Sequence, residues 1–293
     1  MICFERGGLL LGLLMLLSTT AYALVRIRGR KRVGRLPEPA TVVGFVALVA
    51  VLFSIGGTHL QIRLGESGLL AAEWLLLFVP AALFVGFGGF DVGRTLSLRL
   101  PSVHGLLGGV VLTAGAVPLV WVIGWLQTFV LPIPWEIHEG LQDLVTAETT
   151  MGLFRLLLIL AVTPAICEEI VFRGVLLGGT RSLKPWRMVV LNGVVFGAFH
   201  LSFETVIRFL PTATLGIVIA WAVWRTGSIW VGALMHFLNN GTIVVLASTP
   251  SLREALSDPE TPPPLWLVTL GMIATAVGVR ILSRQPPTKR NHD

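Results

Sequence analysis

Apolar length, rather than amphipathic periodicity, is the dominant pattern along the chain. It predicts spans at roughly 8–25, 41–60, 68–87, 105–126, 151–177, 188–203, 211–224, 228–248 and 265–282. The longer runs hold the ~20 residues that a helix needs to cross a ~30 Å hydrocarbon core. Between the fourth and fifth runs, Ile137, Leu141, Leu144 and Val145 recur at helical spacing within 135–148, which predicts a helix lying on the membrane surface. Pro262-Pro263-Pro264 marks a loop, and Pro286-Pro287 opens a disordered tail. The predicted fold class is all-α, a polytopic membrane protein of about 8–9 transmembrane helices.

Composition agrees with this. Of 293 residues, 54% are hydrophobic and 13% charged, against ~25% charged in soluble domains. The mean hydropathy is +0.81. These values exclude disorder, collagen, coiled coil and a disulfide scaffold. The two cysteines, Cys3 and Cys167, form neither a disulfide framework nor a CxxC site.

The net charge of +6 comes from short loops between spans, so it sets topology rather than binding nucleic acid. The first span has features of a signal peptide, with an apolar core at Leu9–Leu17 and Ala21-Tyr22-Ala23 behind it. The cluster Arg26, Arg28, Arg30, Lys31, Arg32 and Arg35 follows at once and resists translocation. An uncleaved span with the N-terminus outside is therefore expected. With that choice, seventeen of the 22 basic residues fall on the inner side, and the C-terminus is cytoplasmic. Segment 127–150, placed outside, has no Lys or Arg but carries Glu136, Glu139, Asp143 and Glu148.

Ionisable groups inside a span are costly and mark partners or water-filled cavities. Glu73 and Arg155 fall near the outer ends of their spans and are expected to reach the interface. Three other clusters lie too deep for that. Glu168-Glu169-Ile170-Val171-Phe172-Arg173 follows Pro164; Glu169 and Arg173 have the i,i+4 spacing of an ion pair, and Glu168 points about 100° away. A carboxylate in a low-dielectric pocket suits general acid–base work. Phe196-Gly197-Ala198-Phe199-His200 lies in the sixth run, and His236-Phe237-Leu238-Asn239-Asn240 in the eighth. A rise of 1.5 Å per residue puts Glu168, His200, His236 and Asn240 roughly 12–18 Å from the inner ends of their spans. A common level near mid-membrane, and so an intramembrane active site, is expected.

The three clusters resemble the CPBP family of intramembrane proteases, which includes the type II CAAX prenyl endopeptidases and bacterial Abi proteins. The family pattern EExxxR, FxxxH, HxxxN reads here as Glu168-Glu169…Arg173, Phe196…His200 and His236…Asn240, intact and in order. The resemblance covers roughly 105–249 as a protease core. It leaves 1–104 as N-terminal helices outside the match, and 250–293 as a loop, last span and basic tail. It implies that Glu168 and His200 activate a water, that His236 and Asn240 donate to the oxyanion, and that Glu169, Arg173 and Phe196 support them. The implied partners are a membrane-associated protein or peptide substrate and the lipid bilayer; the implied location is a bacterial inner membrane.

Two choices stay open at this level. HExxH is absent, and the resemblance favours a glutamate-dependent mechanism without a cofactor; in the zinc alternative, Glu168, His200 and His236 would be the ligands. The same buried groups could instead serve a proton-coupled transporter or a non-catalytic membrane partner, although no inverted repeat is visible. Neither Gly-x-Ser-x-Gly nor GxGD occurs in a span, Ser228 is expected to cap a helix at the inner interface, and Cys167 reads as a buried hydrophobe.

Overall fold

The computed structural model describes residues 34–131, 135–201, 206–255 and 261–284. The first predicted span, the basic cluster up to Arg32 and the tail at Pro286-Pro287 lie outside the described residues. The rest is helical: α1 Pro39–Leu64, α2 Glu66–Phe87, α3 Val103–Thr128, α4 Trp135–Val145, α5 Thr150–Gly179, α6 Pro185–Phe199, α7 Phe209–Thr226, α8 Ile229–Ser248 and α9 Leu265–Ser283. Seven of these, all but α4 and α6, are long and apolar enough to cross a membrane.

Helix ends follow local chemistry. Ser102 and Thr149 cap α3 and α5 by accepting from the backbone N–H of Gly105 and Gly152. Gly227 ends α7 in the left-handed region at φ 65°. Ser228 occupies the N-cap position of α8 but makes no side-chain cap bond. It is fully buried, and its own N–H donates to Thr226 Oγ1 instead, so the expected capping role is not realised.

Two compact units divide the chain. The smaller holds residues up to Leu98 together with Ile166–Lys184, hence α1, α2 and the second half of α5. Its core includes Phe45 stacked on Phe84 at 4.4 Å between ring centroids. The end of α5 packs tightly here: a Cβ on Gly178 would stand 2.2 Å from the Thr95 carbonyl oxygen, and one on Gly179 2.4 Å from Val42. These two glycines are helical and buried. They serve close approach rather than a loop, which begins only after Gly179.

The larger unit holds Arg99–Ala165 and the chain from Pro185 onward. Without a hydrophobic drive between helices in lipid, small residues set how closely helices pack. Gly115 of α3 meets Gly271 of α9 in this way, while Gly108 lies against Leu282 and Gly278 against Leu112; a Cβ on Gly115 would lie 2.4 Å from the Thr275 backbone nitrogen. Gly193 and Gly197 of α6 lie similarly against Ala213 and Ile217 of α7.

α6 departs from expectation. The apolar run suggests 188–203, but the helix occupies Pro185–Phe199, a rise of about 22 Å. Pro185 starts it, and turn bonds from the His200 and Leu201 N–H groups to the Gly197 and Ala198 carbonyls close it. His200 therefore caps a helix too short to span, instead of sitting within one.

Among the described residues, four departures from α-helical winding interrupt the spans. π-Helical stretches run over Phe53–Gly57 in α1, over Glu73–Phe78 in α2, and over Leu158–Val162 and Ile170–Leu176 in α5. Such bulges shift the register of side chains and release carbonyls from the i→i−4 ladder. The last three border or contact a polar group described next.

Candidate functional site

In the smaller unit, α5 presents Glu168 and Glu169 immediately before its second π-helical stretch. Glu168 is 5% exposed, Glu169 1% and Arg173 0%. Arg173 Nη1 donates to Glu169 Oε1 at 2.6 Å, the i,i+4 ion pair that the spacing predicts. A charge-assisted bond of this length between fully buried partners fixes both side chains. Glu168 lies off that axis, and its carboxyl hydrogen-bonds with the carboxyl of Glu73 from α2.

Glu73 thus corrects the sequence expectation. It is 3% exposed and does not reach the interface. Depth along one helix says how far a side chain lies from water, but not whether a neighbouring helix covers it. Arg155, in the second turn of α5, is exposed as expected. Cys167 is fully buried.

In the larger unit, Phe196 is the organising residue. It is buried, and its ring meets His200 at 4.8 Å and His236 edge-on at 5.8 Å and 88°. One aromatic side chain therefore orients both imidazoles. His200 Nδ1 donates to the Phe196 carbonyl at 2.9 Å. A carbonyl only accepts, so Nδ1 carries the proton and Nε2 is the acceptor nitrogen of the neutral ring. That tautomer suits proton abstraction.

His236 is buried in the middle of α8. Asn240, one turn on, donates through Nδ2 to the Leu160 carbonyl at 2.9 Å and accepts from Asn239 Nδ2 at 3.0 Å. Leu160 lies inside the first π-helical stretch of α5. The amide is thus oriented with one N–H committed and a second available to the same nitrogen. No residue pattern announces the Leu160 contact, because it depends on that local change of winding.

Among the described residues, no three His, Cys, Asp or Glu side chains are grouped to hold a metal ion. No step below is routed through zinc.

These features define a polytopic α-helical membrane protein that carries buried carboxylate, imidazole and amide groups on its spans. Residues 150–242 match the family model described as Type II CAAX prenyl endopeptidase Rce1-like. The matched segment contains all three motifs. No curated protein and no solved structure matches the chain.

Proposed function

We propose that the protein is an intramembrane endopeptidase that hydrolyses a peptide bond of a membrane-associated substrate. The observation that carries this is the Rce1-like match over 150–242, within which EExxxR, FxxxH and HxxxN occur intact and in order. Glu168, with His200 through Nε2, takes a proton from a water whose oxygen attacks the scissile carbonyl. His236 and the second N–H of Asn240 donate to the oxyanion of the tetrahedral intermediate; preorganised donors in a dry site are strong contributors there. The proton then passes to the departing amine, and the peptide bond breaks. Glu169 and Arg173 hold the helix that bears Glu168, and Phe196 orients the imidazoles.

No cofactor is needed for this sequence of steps. The distribution of basic residues supports a topology with the N-terminus outside and the C-terminus in the cytoplasm, and the resemblance to bacterial members of the family supports a bacterial inner membrane. Nucleic acid has no part in it.

The test uses purified protein and a quenched fluorescent peptide ending in a farnesylated Cys-aliphatic-aliphatic-X sequence. Wild-type protein is expected to cleave the peptide, and Glu168→Gln to leave it intact while remaining folded. Cleavage by Glu168→Gln at the wild-type rate would refute the assignment.

A further inference from the structure

The first hundred residues lie outside the Rce1-like match, yet they supply a buried acid to the carboxylate proposed as general base. Glu73 sits in the interior of α2, where its π-helical stretch begins. It is buried, and its carboxyl hydrogen-bonds with Glu168. An ionised carboxylate only accepts, so two hydrogen-bonded carboxyls must hold a proton between them. For Glu168 to take a proton from water it must itself be the ionised partner. The bond then runs from a protonated Glu73 to the Glu168 carboxylate.

We propose that Glu73 is a positioning residue for the hydrolysis: its carboxyl donates to Glu168 and fixes the orientation of the general base. The proposal rests on the function proposed above. The neighbouring acid Glu169 accepts a hydrogen bond from Arg173, whose charge acts on Glu168 less strongly, while the hydrogen bond from Glu73 falls to Glu168. The difference has chemical sense. An arginine on Glu168 would stabilise its carboxylate and weaken it as a base, whereas a neutral donor orients it at less cost in basicity. The N-terminal helices thereby gain a part in the chemistry, and not only in anchorage.

Two measurements test this. In the first, Glu73→Leu is expected to lower kcat on the farnesylated peptide by about tenfold or more with KM unchanged, the mark of a misplaced reacting group. Glu73→Gln, whose amide N–H still donates, is expected to restore most of that loss. A Glu73→Leu protein with wild-type kcat, or a Glu73→Gln protein as impaired as Glu73→Leu, would overturn the positioning role.

The second measurement does not use activity. Purified yield and unfolding temperature are compared for Glu73→Leu, Glu168→Leu and the double variant. Removing one carboxyl leaves the other buried without its partner, whereas removing both does not. The double variant is therefore expected to unfold no lower than the worse single variant, and Glu168→Leu should rescue Glu73→Leu if that variant folds poorly. Additive losses, or failure of the rescue, would overturn the pairing. If Glu168→Gln still cleaves, the hydrolytic assignment and the positioning role fall together, and the stability cycle alone decides whether the carboxyls are paired.

Discussion

The adjacent acids Glu168 and Glu169 should separate chemistry from stability when each is changed to glutamine. Glu169→Gln leaves Arg173, which has no exposed surface, as a buried cation with a neutral acceptor in place of its 2.6 Å carboxylate. Breaking a buried ion pair from one side costs about 3–5 kcal/mol, which corresponds to a fall in unfolding temperature on the order of 10 °C. Replacing Arg173 by methionine in the same protein removes the stranded cation and should recover part of that loss. Glu168→Gln keeps shape and volume and strands no cation, so its unfolding temperature should stay close to wild type. Its amide cannot take up a proton, and loss of a general base costs about 10²–10⁴-fold in rate. Unfolding followed by tryptophan fluorescence in mild detergent, alongside peptide cleavage, measures both effects. Equal destabilisation and equal loss of activity in the two variants would refute the division of labour, as would a Glu169→Gln protein as stable as wild type.

Three further outcomes are expected. Cleavage should survive exhaustive chelation, and purified protein should lack stoichiometric zinc; activity lost to a chelator and restored by zinc would make His236 a ligand rather than an oxyanion donor. On a background lacking Cys3 and Cys167, Glu139→Cys should react with an impermeant outer reagent while Lys31→Cys is shielded; the reverse pattern would invert the topology. Gly115→Leu should lower the unfolding temperature sharply, because its Cβ alone would stand 2.4 Å from the Thr275 nitrogen; a protein as stable as wild type would show that α3 and α9 do not pack through these glycines.

What could be read from the sequence depended on how many helices each inference involved. Spans need only one: apolar length decides them, and all seven helices long enough to cross a membrane coincide with predicted runs. Pairs within a helix are nearly as secure, because a spacing of four fixes them. The Glu169–Arg173 bond is the example. The failures each needed a second element. Glu73 looked like an interfacial residue because nothing in its own helix shows Glu168, nearly a hundred residues later, covering it. Asn240 could be placed on a face, but its anchor is a carbonyl in a π-helical stretch of α5, and no residue pattern announces that change of winding. His200 read as a mid-span residue because Leu201 and Phe203 prolong the apolar run, whereas the helix stops at Phe199.

These failures have a common feature that bears on the mechanism. Ordinary α-helical winding satisfies backbone groups within the helix and leaves carbonyls few reasons to engage side chains. Here, His236 in regular α8 apart, the groups singled out for catalysis are held where that winding is interrupted. Asn240 is tied to a carbonyl in a π-helical stretch, Glu168 and Glu169 directly precede another, Glu73 opens a third, and His200 closes a helix that ends early. Each interruption gives up some helical regularity and supplies a hydrogen bond or a side-chain direction that a straight span lacks. A membrane protein with no water to orient its polar side chains must take those orienting bonds from its own backbone and from neighbouring acids. On this argument the π-helical stretches of α2 and α5 belong to the catalytic apparatus. Deleting one residue from Leu158–Val162 to restore regular winding should therefore displace Asn240 from Leu160 and lower kcat, in a helix that is otherwise better formed. Unchanged kcat in such a deletion variant would show that the bulge is a packing feature alone.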